Sequence, residues 1–364
     1  MKLIAQLKLQ PTPEQHAALL RTLEVANAAC NAMSETAWRT QTFRQFDLHK
    51  LSYESCREAF GLSAQLTVRC LSKVADTYKL DRKTQRVFRP HGSIAYDDRI
   101  LSWNLHAPSV SIWTVNGRQS IPFVTGSRQM ELLATRKGET DLAYVKGAFY
   151  LLAVCDVEEA TPLDVDSTLG VDLGVQNIDV DSDGNIYSGK AVLGVRHHRR
   201  RLRTKLQTTG TKSAKRKLKQ LSGKERRFAT AINHQIAKQL VLLAERTKRQ
   251  IALEDLTHIR SRVRGAPTGH GQQRATLHSW AFGQLQQFVS YKAQLRGIPV
   301  HFVDPRNTSR TCPACGHCAK ENRKTQAQFV CTSCGYAGHA DVIAAGNISR
   351  RAAVNPPHAS TQSG

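Results

Sequence analysis

No run of eighteen apolar residues occurs in this 364-residue chain, which leaves no candidate membrane span. The N-terminal stretch MKLIAQLKLQPTPEQ lacks the apolar core of a secretory signal. No internal repeat is found. Acidic residues are scarce: 29 Asp and Glu stand against 52 Lys and Arg, a formal net charge of +23. That imbalance points to a polyanionic partner, nucleic acid first; a basic surface of ribosomal or chaperone type is the plainer alternative. The nine cysteines are odd in number. Cys30, Cys56, Cys70 and Cys155 are scattered, while five crowd between Cys312 and Cys334. In a chain without a signal, such crowding suggests metal ligands in a reducing cytosol rather than disulfides. A hydrophobic content of 40% suffices for real cores, and the length implies two or three units.

The texture of the chain changes twice. MKLIAQLKL alternates and predicts a strand. Thr12 is placed to cap a helix, with Pro13 at its first position and Glu14 and Gln15 in its first turn. Helical spacing then continues to about residue 85. SVSIWTVNGRQSIPFVTG and DLAYVKGAFYLLAVCDVEE are β-branched and aromatic with Asn-Gly and Lys-Gly turns, which predicts a sheet or small barrel that the first strand joins from afar. The helices would then interrupt a β domain. From Leu169 the order is a buried strand, an Asp-Gly turn, a second strand, two helices parted by a Gly/Thr break, the strand IALEDL, the helix RATLHSWAFGQLQQFVSYKAQLRG and the strand IPVHFVDP. This predicts a mixed α/β layer.

Cys312, Cys315, Cys331 and Cys334 have the spacing of a four-cysteine zinc ribbon. Each Cys-x-x-Cys pair is followed by a glycine, Gly316 or Gly335. Two such turns complete a tetrahedron of thiolates around one structural Zn2+. Cys318, a fifth cysteine, breaks the symmetry of the two turns and is left out.

Three carboxylates stand out by position. Asp172 lies among apolar residues in LGVDLGVQN, Glu254 lies in QIALEDL, and Asp341 opens the helical ADVIAAGNI seven residues after the last cysteine. A buried carboxylate is costly unless paired or bound to a cation. Brought together, the three would hold hard divalent ions, and a pair of Mg2+ about 4 Å apart would activate a water and stabilise a leaving oxygen. Taken singly, each is explained by a strand end or a helix cap. Asp255, beside Glu254, falls on the opposite face by strand alternation. DVDSDGNIYSGK matches the first half of a calcium loop through Asp179, Asp181, Asp183 and Gly184. Position twelve is Lys190 instead of Glu, so a hairpin turn is the better reading.

Between Arg196 and Arg227 lie fourteen Lys or Arg and one acidic residue, Glu225. A solvated helix face is the plain account. So dense a run repels itself unless it meets phosphate. Arg199, Arg200, Arg201, Arg203, Lys205, Lys215, Arg216, Lys217, Lys219, Arg226 and Arg227 are the expected nucleic-acid contacts. In the first ninety residues, Trp38, Tyr53, Phe60 and Tyr78 are expected in the helix core, with contact to a nucleic-acid duplex as the alternative.

GVDLG, ALEDL, TSRTCPACG, CTSCGY and HADVIAAGNI, in this order, resemble TnpB, the OrfB-type protein of bacterial insertion sequences, which is similar to the type V CRISPR effector nucleases. SIAYDDRIL and GKERRFATAINHQIAKQLV resemble the same family. The match is ordered over roughly residues 90 to 350 and weak over the first ninety. The last motif reads HADVIAAGNI where an Arg and an Asn are common, and the tail is short.

The resemblance implies a multi-domain α+β chain. A wedge β-barrel (1–10 and 89–166) would be interrupted by a helical recognition domain (11–88). An RNase H-like RuvC nuclease domain (167–307 and 337–352) would carry a zinc ribbon insertion (308–336), ahead of a disordered tail (353–364). It implies Asp172, Glu254 and Asp341 as catalytic Mg2+ ligands in an RNA-guided DNA endonuclease that is cytoplasmic in a bacterial or archaeal host. Such an enzyme would cut double-stranded DNA beside a short adjacent motif. Its partners would be a guide RNA from the transposon end and target DNA, with a monomer on one RNA. The alternatives are a guided DNA-binding repressor with an inactive nuclease, and a strand-joining transposase or recombinase.

Overall fold

The computed structural model describes residues 1–174, 176–256, 281–325 and 327–354. It divides into two compact units, Met1–Glu158 and the chain from Glu159 onward. Among the described residues no helix is long and apolar enough to cross a membrane.

In the first unit, β1 (Lys2–Leu9) is followed by three helices: α1 (Pro13–Thr40), α2 (Gln45–Phe60) and α3 (Ala64–Leu80). The start of α1 is fixed locally. Thr12 caps it, its side chain accepts from the Gln15 amide, and the Gln15 side chain accepts from the Thr12 amide. Residues 81–93 then run back along α1. Asn27 donates to the carbonyls of Pro90 and Gly92, Asn31 brackets Phe88, and Ser34 donates to the Arg86 carbonyl.

Strands β2 (Ile94–Tyr96), β3 (Leu101–Asn104), β4 (Ser109–Thr114) and β5 (Gly117–Val124) follow. Then come helix α4 (Ser127–Leu133) and strands β6 (Arg136–Val145) and β7 (Ala148–Asp156). The seven strands form one sheet in the order β2-β6-β7-β1-β5-β4-β3. It curls until the Tyr96 hydroxyl at one edge donates to the Trp113 carbonyl near the other at 3.2 Å, a nearly closed barrel. Helices and sheet share one core, running from Ala5 through Leu19, Met33, Leu71 and Tyr96 to Cys155. Tyr78 is fully buried in it, and Trp38, Tyr53 and Phe60 pack against it. The helix α4 carries no clear periodic signal in its seven residues, and the sequence reading passes it over.

The second unit holds a five-stranded sheet. Its strands are β8 (Ser167–Asp172), β9 (Asn177–Asp181), β10 (Ile186–Ser188), β11 (Arg249–Glu254) and β12 (Val300–Val303), in the order β10-β9-β8-β11-β12. The first three pair antiparallel, and β8, β11 and β12 run parallel. The sequence predicts a single strand before the Asp-Gly turn. The chain instead reverses after Asp172, where the Gly174 amide bonds to the Ile178 carbonyl at 3.2 Å, and makes two strands of it. Helices α5 (Lys190–Thr209) and α6 (Lys212–Arg246) meet at the expected break, with Gly210 left-handed at φ 65° and Thr211 capping α6. The helix predicted over 274–297 is described as α7 (Phe282–Gln294); its first part lies outside the described residues. The small strands β13 (Gln328–Val330) and β14 (Ala337–His339) lead into α8 (Ala340–Val354). The expected tail thus begins inside α8, and residues 355–364 lie outside the described residues.

Helix α8 lies directly on β8. A Cβ at Gly170 would stand 2.0 Å from the Ala345 carbonyl oxygen and 2.6 Å from the Ser349 amide. Ser349 also donates to the Thr168 carbonyl at 2.7 Å. Since both neighbours are backbone, nothing there can yield cheaply. Gly170→Ala is therefore expected to lower the unfolding free energy of the second unit by about 3 kcal/mol or more, the upper end of overpacking costs. Gly346→Ala, where the new Cβ meets only an arginine end at 3.5 Å, should gain about 0.5–1 kcal/mol from helix propensity. Chemical denaturation of the two variants beside the parent checks both signs.

Candidate functional site

Asp172 and Glu254 are the last residues of β8 and β11. The two strands are parallel and in register through Val171 and Leu253. Their carboxylates therefore emerge side by side at one end of the sheet, both half-buried. Asp341, 5% exposed, sits in the first turn of α8. The packing of α8 on β8 carries it to the same place. Asn177, which opens β9, donates to one Asp341 oxygen at 3.0 Å, and Arg323 donates to the other at 2.7 Å. Thr308 donates its hydroxyl to Glu254 at 2.5 Å.

The electrostatics register the convergence. Burial raises the Asp172 carboxyl first, and the neighbouring Glu254 and Asp341 raise it further, up to about 8; Arg323 opposes them. Glu254 is also raised by burial, against the Thr308 hydrogen bond and the charges of Arg351 and Arg323. The structure thus brings the three sequence-predicted carboxylates together. Their oxygens are spaced more widely than the sulfurs of the cysteine cluster below, which among the described residues is the one group of three or more ligand atoms all within 4.8 Å of one another.

Asp255 is exposed, with its amide bonded to the Val303 carbonyl at 2.8 Å. Asp183 forms a two-pronged pair with Arg249, at 2.7 and 2.5 Å, which lowers its pKa. Asp181 is consumed by the turn, accepting from the amides of Asp183 and Asn185 and from the Asn185 side chain. Asp179 is buried, with one oxygen lacking a donor, and is pushed to about 7 by burial and by Asp181. This is a hairpin turn in which Asp181 is committed to the turn and Asp183 to Arg249.

Cys312, Cys315, Cys331 and Cys334 form the metal-competent group. The Sγ atoms of Cys312 and Cys334, and those of Cys315 and Cys331, are 3.6 Å apart. Each pair closes a turn in which the glycine amide, Gly316 or Gly335, returns to the first cysteine's carbonyl at 3.0 Å. Both glycines are left-handed, at φ 74° and 73°. Four thiolates in two such turns suit a zinc ion and leave no open position. Cys318 stands outside the cluster, exposed and bridged to Thr311.

The core of the ribbon is small: Cys312, Phe329, Cys331, Ala340 and Ile343. Buried Asn322 staples it, donating to the carbonyls of Arg310 and His317 and accepting from the Thr332 amide. Asn347 on α8 donates to the carbonyls of Thr308 and Thr311, so the ribbon's entry strand is tied beside its exit.

Sequence reasoning missed Asn177, Thr308 and Arg323. Thr308 opens one of the quoted motifs, and its hydroxyl was the available signal. Arg323 sits in ENRK among many cations, and nothing local distinguishes it. The expected basic contacts lie on α5 and α6, which carry the run from Arg196 to Arg227.

A family profile described as Cas12f1-like, TNB domain matches residues 282–348. The chain is similar to a TnpB-like protein of Methanocaldococcus jannaschii, 34% identical over 134 residues, which are 37% of this chain and 46% of that protein. It is also similar to the CRISPR-associated endodeoxyribonuclease Cas12f1 of Sulfoacidibacillus thermotolerans, 37% identical over 136 residues, 36% of this chain and 29% of that one. Each match spans less than half of the relative's own length. Among solved structures, the Cas12f1–sgRNA–target DNA complex aligns with a TM-score of 0.59 at 18% identity, over 92% of this chain and 83% of that one. The resemblance carried by the motifs is thus met by relatives bearing the TnpB and Cas12f names, and the fold is Cas12f-like, multi-domain α+β.

Two outcomes follow from the site's chemistry. Cys331→Ser should abolish zinc binding, whereas Cys318→Ser should keep one zinc per chain; elemental analysis distinguishes them. In metal-free protein, Asp172 binds its proton more tightly folded than unfolded. Its contribution to stability is therefore fully present below about pH 3.8 and is lost as pH rises through about 8. Denaturation midpoints should fall across that window, and Asp172→Asn should flatten the upper part of the fall, leaving what the raised Asp179 and Glu254 carboxyls contribute.

Proposed function

We propose that the chain is an RNA-guided, Mg2+-dependent DNA endonuclease of insertion-sequence type that cuts double-stranded DNA beside a short adjacent motif. One observation carries the reading. Three carboxylates from two strands and a helix converge on one end of the sheet, where burial first, and then Glu254 and Asp341, raise the Asp172 carboxyl to about 8. So much negative charge at the end of an apolar sheet has a use where a cation is bound. The strand order β10-β9-β8-β11-β12, antiparallel on one side and parallel on the other, supports an RNase H-like nuclease domain. The names of the relatives supply the endonuclease class and the transposon context. The domain division expected from the sequence is retained as part of this proposal: barrel, inserted helices, RuvC-like unit and ribbon.

Asp172, Glu254 and Asp341 would hold the magnesium, and their oxygen donors fit a hard cation. When bound, it supplies a Lewis acid for phosphodiester hydrolysis. The chain's own residues set the donors. Thr308 fixes the rotamer of Glu254, and Asn177 and Arg323 grip one Asp341 oxygen each. Zinc would have the separate task of folding the ribbon that delivers Arg323, because a core of five side chains is too small to do so unaided. The basic helices α5 and α6 would hold the nucleic-acid backbone, which positions a strand without reading it. Sequence would be read by guide pairing.

Asp172→Ala is expected to cut the rate of guided plasmid cleavage by about three orders of magnitude or more, with guided DNA binding retained. Glu254→Ala and Asp341→Ala should match it, and the triple variant should be little worse than one change. Asp255→Ala and Asp183→Ala should stay active. A cleavage assay with locus RNA and Mg2+, run beside a binding assay, decides. Full cleavage by Asp172→Ala would remove the assignment, and joint loss of binding would make Asp172 a folding residue.

A further inference from the structure

A cavity of about 510 Å3 opens between α5, α6 and the start of α7. Its wall carries five guanidinium groups, those of Arg196, Arg199, Arg200, Arg203 and Arg226, against one carboxylate, Glu225. That carboxylate is already engaged by Arg203. Arg199 lies over the Phe228 ring at 4.9 Å. Its Nη1 is buried and has no acceptor among the described residues. Arg196 is buried enough that its pKa is lowered, with Glu225 opposing the shift.

A solvated helix face does not look like this. Arginines on such a face keep their heads in water, and lysine serves there equally well. Here three of the five are only partly exposed and converge on one space. A buried cationic donor without an acceptor is costly. The guanidinium fork is matched to phosphate oxygens. The volume exceeds what an isolated phosphate needs and lies in the range of small-molecule sites, so a phosphate still attached to its nucleotide fits. Phe228 offers an apolar wall for the sugar or base.

We infer that this cavity is the seat of one phosphate group of a bound polynucleotide strand, gripped by Arg199 and Arg196 and rimmed by Arg200 and Arg226. The inference rests on the proposed nucleic-acid contact by α5 and α6 and goes beyond it. One nucleotide is anchored in a built site, while the remaining contacts of the basic stretch are diffuse and exchangeable with salt. Guide RNA and target DNA present the same phosphate chemistry, and the arms of the test separate them.

The full chain is freed of nucleic acid in high salt and its thermal unfolding followed with inorganic phosphate or with chloride at equal ionic strength. Phosphate should raise the midpoint of the parent and of Lys238→Gln, an exposed charge control on α6, above the chloride value. Arg199→Met should lose that shift. Its phosphate-free midpoint should equal or exceed the parent's, since the substitution removes a buried cation and keeps the contact with Phe228. Arg200→Gln, at an exposed position on the same rim, should weaken the shift without touching the packing. Titrations with single-stranded RNA and single-stranded DNA then follow affinity against salt. Arg199→Met should bind the strand that uses the seat about tenfold more weakly, with a salt slope smaller by about one.

Equal effects of phosphate and chloride on the parent, or a shift retained in Arg199→Met, would overturn the seat. Strand binding at parental strength in that case would leave the nucleic-acid reading standing. A phosphate shift with no strand binding by the parent would overturn both, reducing the cavity to a free-anion site. A lowered phosphate-free midpoint in Arg199→Met, with the shift intact in Arg200→Gln, would make Arg199 a packing residue and end the proposal.

Discussion

The convergence of Asp172, Glu254 and Asp341 at the buried end of one sheet is the constraint to which the rest of the second unit answers. Like charges at the end of a buried sheet separate unless something holds them. Register does this for the first two, since parallel strands aligned at Val171 and Leu253 cannot splay one end without breaking the ladder. Asp341 has no strand to hold it. It is held by the contact of α8 with β8 at Gly170, closer than any side chain would allow, and by the hydrogen bonds of Asn177 and Arg323. The raised Asp172 carboxyl records burial first and the two neighbouring carboxylates after it.

The same constraint explains why a cysteine ribbon adjoins a lone aspartate. The segment from Thr308 to Tyr336 leaves the sheet after β12 and must return at α8 with Asp341 in place. Asn347 fastens both ends by bonding to Thr308 and Thr311. Thr308 in turn reaches Glu254. The ribbon interior supplies Arg323, the cation that two of the three carboxylates feel most plainly. A module with so small an apolar core holds an arginine at a fixed position only if something else stiffens it. Four thiolates in two left-handed-glycine turns are suited to that task.

Legibility in the sequence followed the range of the interaction. Local signals were readable: the Thr12 cap, the Gly210–Thr211 break and the two Cys-x-x-Cys turns all depend on residues a few positions apart. The β-branched, aromatic stretches around the Asn-Gly and Lys-Gly turns, which became β4 to β7, were readable for the same reason. The reversal between β8 and β9 was not, because LGVQN lacks the polar cluster that marks a turn and Gly174 alone is ambiguous. Arg323, Asn177 and Thr308 were not readable either. Their meaning comes from partners 18, 164 and 54 residues away. The carboxylates fell between these cases. Their apolar surroundings marked each as unusual, the ordered family motifs joined them into a set, and only the tertiary fold measures how strongly they interact.

Positive charge poses the complementary problem. The chain carries +23, and much of it lies on α5 and α6, where it repels itself. Exposed lysines and arginines relieve that repulsion with mobile counterions at little cost. Arginines drawn partly out of water around a cavity cannot do so as freely, because one carboxylate, Glu225, faces five guanidinium groups there. The metal-free site and the cavity are thus opposite cases of one situation: negative charge concentrated where a cation fits, and positive charge concentrated where a phosphate fits. Each is tolerated because the surrounding helices and strands are fastened by packing that does not depend on the ligand, α8 on β8 in one case and α6 on α7 in the other. On the proposed reading, a nuclease that must admit and release a long polyanion would need both kinds of charge fixed in advance. The cost of assembling them would then be met in folding and would not have to be supplied again with each strand bound.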